Sequence, residues 1–192
     1  MVEDAFDQAN RNYQESLKIR SGLGEQGMVA TVWLSLAGLE MEQKNFTGAA
    51  KLAQQAIDEF HRQHNDDQEA AARCSLAKTE ILQGRTKIAQ EQMELTHKLA
   101  VQDRTVSLLI DLTAAKLKAS DRQNGPAALL LDGVIKQAKQ MQLPGYEFEA
   151  RLEKSQLAAS PNLAGLRELG KEANARGFKL IVRKAREASE NR

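Results

Sequence analysis

Apolar side chains recur three and four residues apart along nearly the whole chain, the spacing that lines one face of an α-helix, and short polar or glycine-bearing breaks interrupt them. The first run, Ala5, Phe6, Ala9, Tyr13, Leu17 and Ile19, closes at Ser21, Gly22, Gly24 and Gly27. The pattern then predicts helices over Met28–Gln43, stopped by KNFTG, over Gly48–His64, stopped by HNDDQ, and over Glu69–Leu82, stopped at Gly84. Two more follow over Thr86–Val101 and Val106–Ala119. The loop SDRQNGP puts Pro126 in the first turn of a seventh helix, which LPG at Leu143–Gly145 closes. An eighth spans Tyr146–Ala159. Ser160 as N-cap and Pro161 at the first helical position open a ninth, and Gly177 separates it from a last helix over Phe178–Ala188.

About ten short helices joined by tight turns imply stacked helical hairpins, an arrangement that leaves internal repetition in the sequence. Sliding the chain by 40 residues pairs Ala30 with Ala70, Ser35 with Ser75, Leu36 with Leu76 and Ala37 with Ala77. The same shift pairs Glu40 with Glu80, Gln43 with Gln83 and Ala49 with Ala89. A further shift of 38 carries Ala77 and Lys78 onto Ala115 and Lys116. Small residues recurring together let helix backbones approach closely, while Trp33, Leu36 and Leu76 fill the space that remains. The alternative is a compact helical bundle whose spacing is accidental.

The stretch WLSLAGLEMEQKNFTGAAKLAQQA, residues 33–56, resembles a tetratricopeptide repeat. Trp33, Leu36 and Ala37 hold the positions of its first helix, and Ala49, Ala53 and Ala56 those of its second. The next unit keeps Leu76, Ala77 and Ala89, has Arg73 in place of the tryptophan, and continues with Met93 and Thr96. Glu40 and Glu80 stand where the family has an aromatic, and the helix-ending proline is missing. The ending EANARGFKLIVRKA is similar to the closing unit of the tetratricopeptide regions at the C-termini of bacterial signalling kinases and transcriptional regulators. The resemblance implies an all-α fold, a right-handed superhelical array of antiparallel helical hairpins with about ten helices. One repeat domain would span 1–192: the second helix of a partial unit at 1–24, hairpins at 28–64, 68–102, 104–142 and 146–177, and a capping helix at 178–190.

Composition narrows the class. Aromatics make up 4% and prolines number three, so there is little material for strands. Lys and Arg number 27 against 26 Asp and Glu, a balance that gives no general attraction to nucleic acid or to an anionic membrane. Cys74 is the single cysteine, which excludes an internal disulfide and fits a cytoplasmic protein. The opening MVEDAFDQAN is acidic and polar where a signal peptide would be basic and then apolar, and no window approaches the roughly 18 apolar residues of a membrane span.

Candidate chemistry is sparse. In DEFHRQHNDD, His61 and His64 are three apart with Asp58, Asp66 and Asp67 nearby, which could gather a metal ion; the competing reading is a solvated helix end with histidines near its negative dipole. Cys74 has no base in its own helix and reads as a buried small residue. The glycines of SGLGEQG lack the strand and the Lys-Ser/Thr of a phosphate loop. The expectation is a non-enzyme without metal or cofactor. KLIVRKAREASENR is basic, with Lys179, Arg183, Lys184 and Arg186 beside an apolar stripe of Phe178, Ile181, Ala185 and Ala188; a capping helix with a solvated face is favoured over a nucleic-acid or membrane patch.

In arrays of this family the first helices line a concave groove. The repeat register places Thr31, Leu34, Gly38 and Met41 there in one unit, Ala71, Cys74, Lys78 and Ile81 in the next, and Leu109, Leu112 and Lys116 in a third. That surface is mostly apolar with two cations and suits a helix or an extended peptide of acidic character, making the expected function a protein–protein interaction scaffold within a larger signalling or regulatory protein. The alternative function is a sensor domain that encloses a small peptide or metabolite. The apolar N-terminal helix, Asp4 to Arg20, is expected to meet either a preceding segment or a second copy as a homodimer; alternatively Phe6 and Tyr13 pack inward.

Overall fold

A computed structural model describes residues 2–157 and 162–190 of the chain. The fold is all-α. Its helices are α1 (Val2–Gly22), α2 (Gln26–Glu42), α3 (Phe46–Arg62), α4 (Asp66–Leu82), α5 (Thr86–Thr96), α6 (Arg104–Ser120), α7 (Asn124–Gln140), α8 (Pro144–Gln156), α9 (Leu163–Ala175) and α10 (Lys179–Glu190). No strand occurs among the described residues. From α2 to α5 each helix begins 20 residues after the one before, and after one step of 18 the interval of 20 resumes for α7 and α8. The internal shifts of 40 and 38 seen in the sequence are therefore two-helix steps of the fold.

One turn design produces this period. Gly24, Lys44, His64, Gly84, Arg122, Gln142 and Gly177 all have positive φ, each just beyond a helix end. At each one the next residue's N–H reaches a carbonyl five residues back, as in Asn45 to Glu40 (2.9 Å), Asn65 to Phe60 (3.0 Å) and Leu143 to Ala138 (2.9 Å). The left-handed residue itself bonds three residues back, as His64 does to His61 (3.0 Å). This is the Schellman closure, which satisfies the last carbonyls of one helix and turns the chain into the next. Asn45, Asn65 and Asn162 then cap the following helices by accepting from the N–H groups of Gly48, Gln68 and Gly165. Ser160 and Pro161, expected at the start of α9, lie outside the described residues, as do Ala158, Ala159 and the side chain of Ala5.

The break between α5 and α6 differs from the rest. The expected helix to Val101 stops at Thr96, because two carboxylates capture the following backbone. Asp66 accepts from the Ala100 N–H (2.9 Å), and Asp67 accepts from Gln102 (2.9 Å) and Asp103 (3.0 Å). Amides bound from outside cannot continue the helical ladder.

The chain divides into two compact units, residues 1–110 and 111–192, with the division inside α6. In the first, α1 packs on α2, α2 on α3 and α4, α3 on α4, and α4 on α5. Its core gathers Ala30, Ala37, Ala53, Ala56, Ile57, Phe60, Ala72 and Leu76, with Trp33, Leu34, Ala50 and Leu52 packed against them. Ala37, Ala49, Ala77 and Ala89 have no exposed surface. The small positions of the repeat are thus places where helix backbones meet closely. In the second unit α7 packs on α8, α8 on α9 and α10, and α9 on α10. Phe148, Leu152, Leu166, Leu169, Ala173, Ile181 and Ala185 form its core, and the Phe148 and Phe178 rings meet edge to face at 5.3 Å.

Candidate functional site

α2 and α4 pack side by side in the first unit, and each keeps one strip of surface. On α4 that strip is Ala71, Ser75 and Lys78, half-buried, and then Leu82, exposed; Cys74, by contrast, is 0% exposed. The same positions 40 residues earlier are Thr31, exposed, and Ser35, Gly38 and Glu42, half-buried. A Cβ added at Gly38 would meet nothing within 4 Å, so the space above α2 is open. The Thr31 hydroxyl donates to the Gly27 carbonyl (3.0 Å) and the Ser35 hydroxyl to the Thr31 carbonyl (3.2 Å).

This strip overlaps the expected groove and corrects it. Thr31, Gly38, Ala71 and Lys78 belong to it. Met41, Ile81 and Leu109 are half-buried, and Leu34 packs against the core around Ala30 and Phe60. Cys74 and, in the second unit, Leu112 are wholly buried and face the core, so neither lines an open surface. Four of the expected positions are kept, and Cys74 and Leu112 are the two that burial removes. Ser35 and Ser75 lie on the strip beside Leu34 and Cys74, which makes its middle smaller and more polar than expected, with Glu42 and Leu82 at its far end. Ser35 and Ser75 already stood out as a pair repeated at 40 residues, which was the available signal.

The two expected cations also part ways. Lys116 Nζ lies 2.7 Å from a Glu153 oxygen and 3.1 Å from one of Glu149. Burial alone would lower its pKa, but the attraction and hydrogen bonds of those two carboxylates outweigh it and raise the ammonium above its ordinary range. Lys116 is committed to α8. Lys78 has no ion-pair partner among the described residues.

The HRQHNDD stretch is structural chemistry. His61 Nδ1 lies 3.0 Å from Glu69 Oε2, a carboxylate with 3% of its side chain exposed. Arg73 Nε donates to the other Glu69 oxygen (2.8 Å) and Arg73 Nη1 to Gln92 (2.9 Å), so the cluster ties α3, α4 and α5 together. Asp66 and Asp67 hold the loop before α6, and His64 sits exposed in a turn. No three His, Cys, Asp or Glu gather as metal ligands among the described residues. A shift of 78 residues, one step of 40 and one of 38, carries His61, Glu69 and Arg73 onto Lys139, Glu147 and Arg151. There Arg151 contacts Glu147 (3.2 Å) and grips Glu172 with two bonds of 2.6 and 2.9 Å, while Lys139 approaches Glu147 at 3.7 Å. The sequence reading missed this pair of clusters, and the 78-residue shift would have exposed them.

Two open clefts flank the start of α2. One, about 400 Å³, is lined by its first turn and by Phe60, Gln63, Asn65 and Gln68; Thr31 is the strip residue that reaches it. The other, about 480 Å³, lies along α1 beside Asn12, Glu15, Ile19 and Leu23, and Glu25 borders both. On α1 Phe6, Ala9, Tyr13 and Leu17 are half-buried, whereas Ile19 is 55% exposed. In α10, Ile181 and Ala185 are buried and Lys179 and Arg186 exposed. Among the described residues no helix is long and apolar enough to cross a membrane. No protein-family model matches the chain, and no curated protein is similar to it.

Proposed function

We propose that the protein is a non-catalytic interaction scaffold of the tetratricopeptide kind, which holds an extended peptide or a helix of a partner protein along α2 and α4. The observation that carries this reading is the strip itself. Equivalent positions on two adjacent helices keep some accessible surface and hold mostly small residues, Thr31 and Ala71, Ser35 and Ser75, with Gly38 opposite Lys78 and Glu42 opposite Leu82. Stacked helical hairpins present such a strip as a continuous surface, and small side chains let a partner backbone come close. Lys78 makes no ion pair among the described residues, which leaves the α4 side of the strip a cation that favours acidic character in the partner, while Glu42 stands on the α2 side. Openness supports a scaffold over a sensor, since both clefts beside α2 are shallow where a sensor needs an enclosed cavity. The likeness of the last helices to the C-terminal repeats of bacterial signalling proteins supports a role within a larger regulatory protein.

The test is selection of peptides from a random display library on the immobilised protein, followed by titration of the selected sequences. Acidic sequences are expected, with binding weakened about tenfold by Lys78→Glu, the loss of one favourable charge contact and the gain of a repulsive one. A selection dominated by basic sequences, or affinity indifferent to Lys78→Glu, contradicts the proposal.

A further inference from the structure

α2, α3, α4, α6 and α7 hold 17 residues each, but α5 holds only 11. Nothing in its own sequence stops it there. Neither glycine nor proline occurs between Gly84 and Gly125, and Lys98, Leu99, Ala100 and Gln102 are good helix formers. The junctions after α1, α2, α3, α4, α6, α7 and α9 each span three residues, the second of them left-handed. In each, the second residue's N–H bonds three residues back and the third residue's five residues back, as in His64 to His61 and Asn65 to Phe60. The junction after α5 spans the seven residues 97–103, none of which has positive φ. One further turn of α5, to Ala100, would leave 101–103 as a three-residue junction, with Gln102 in the left-handed place that Gln142 takes after α7. Asp103 would remain the cap of α6, where it already accepts from Thr105 and Val106. That closure needs the amides of Ala100, Gln102 and Asp103, and these are the three that Asp66 and Asp67 hold at 2.9, 2.9 and 3.0 Å. Forty residues earlier, Gln26 and Gly27 stand in place of the two carboxylates, and there α3 reaches its full length.

We propose that residues 97–103 form a two-state strap. Asp66 and Asp67 hold it unwound at the head of α4, and on release α5 gains one turn and ends in the same left-handed closure as its neighbours. Both states satisfy the same amides, which keeps them close in energy. In the pinned state the carboxylates accept from Ala100, Gln102 and Asp103; in the helical state the carbonyls of Thr96, Leu99 and Lys98 do so. The helical state requires Gln102, a residue with a Cβ, to be left-handed, and the pinned state gives up a helical turn. Bonds to an ionised acceptor are stronger than bonds to a carbonyl, and they tip the balance to the pinned state. All three lie at the surface, so the strap can open while the core of the unit stays packed. Asp67 precedes Ala71 by one turn of α4, so charge at the head of a helix that carries half of the strip sets the length of α5. The strap does not depend on what the strip binds.

Backbone chemical shifts of the full chain test it, with the resonances of α2 and α3 reporting that each variant stays folded. An Asp66→Ala, Asp67→Ala variant removes both acceptors. Both states contain α4, so the loss of charge in its first turn cancels from the balance between them. The ratio of helical to pinned strap should rise at least about tenfold, because three charge-assisted bonds are lost. His97 to Ala100 should then take helical shifts and Gln102 those of a left-handed residue. Adding Lys98→Gly, which disfavours a helix interior, should lower the ratio again. A Gln102→Gly variant keeps both carboxylates and favours the left-handed closure, so the shifts of His97 to Ala100 should move toward helical values in it as well. That variant decides alone where the double alanine chain does not fold. Shifts of 97–103 that stay at wild-type values in these variants overturn the proposal. So do irregular shifts with α5 still ending at Thr96, which would make the carboxylates simple tethers of a loop.

Discussion

Replacing His64 with glycine should make the protein more stable, although it removes a whole side chain. His64 closes α3 with φ +53°, and its ring is exposed at the turn, so it fills no core space. The left-handed conformation brings the Cβ of an L-residue against its own carbonyl, at about 1–2 kcal/mol. Glycine relieves that strain but loses more chain entropy on folding, about 0.5–1 kcal/mol. The net gain for His64→Gly is thus about 0.5–1 kcal/mol. Gly84, one hairpin step later at φ +74°, provides the reciprocal experiment. A Cβ there would meet nothing within 4 Å, so the penalty of Gly84→Ala is purely conformational and its sign is opposite. Urea unfolding followed by circular dichroism reads both. With a slope of about 1–3 kcal/mol per molar, His64→Gly should raise the midpoint by some tenths of a molar, and Gly84→Ala should lower it by a similar amount, at unchanged slope. Lys44→Gly lies in a different turn and should add to His64→Gly. A lower midpoint for His64→Gly, or a higher one for Gly84→Ala, refutes the idea that one left-handed closure spaces these helices.

Ala37→Leu forces volume into a site with no exposed surface and should cost about 1–3 kcal/mol in urea unfolding, whereas Lys51→Ala on the exposed side of α3 should stay within about 0.5 kcal/mol. Glu69→Gln removes the negative charge opposite Arg73 while leaving an oxygen that can accept from it, and should destabilise by about 2–3 kcal/mol, somewhat below the usual cost of breaking a buried pair because Arg73 stays in contact with water; an Arg73→Met change in the same chain should recover part of the loss, and equal losses in single and double variants argue against the cluster. Asp103 is held below the ordinary carboxylate range by the N–H groups of Thr105 and, next, Val106. A depressed carboxylate stabilises above its unfolded pKa and ceases to as pH falls through the folded one, so hydrogen-exchange protection of the first turn of α6 should fall in acid below that ordinary range; protection unchanged by acid would contradict it.

The sequence announced its helices and their period because both rest on local physics. Apolar spacing marks a helix face, and Ala37, Ala49, Ala77 and Ala89 can recur together only where backbones touch. Glycine made three of the seven left-handed turns legible, but Lys44, His64, Arg122 and Gln142 occupy a conformation that side chains disfavour, so nothing in their chemistry announces it. The helix stop at Thr96 was invisible because Asp66 and Asp67 impose it from more than 30 residues away. Cys74 was expected on the open face of α4 and is enclosed instead, for a related reason. Cys74 and Ser75 differ little in size, and their neighbours on α3, α5 and α2 decide which of them is enclosed. Lys116 read as a groove cation because its partners, Glu149 and Glu153, lie two helices on.

Amide chemical-shift mapping with a selected peptide tests the central claim most directly, since it reports the bound face residue by residue. The account predicts that the largest shifts fall on Thr31, Ser35 and Gly38 of α2 and on Ala71, Ser75 and Lys78 of α4, with little change on the outer face of α3 at Lys51 and Gln55. Shifts centred on α3, or on the α9–α10 hairpin with the α2–α4 strip unmoved, would contradict it.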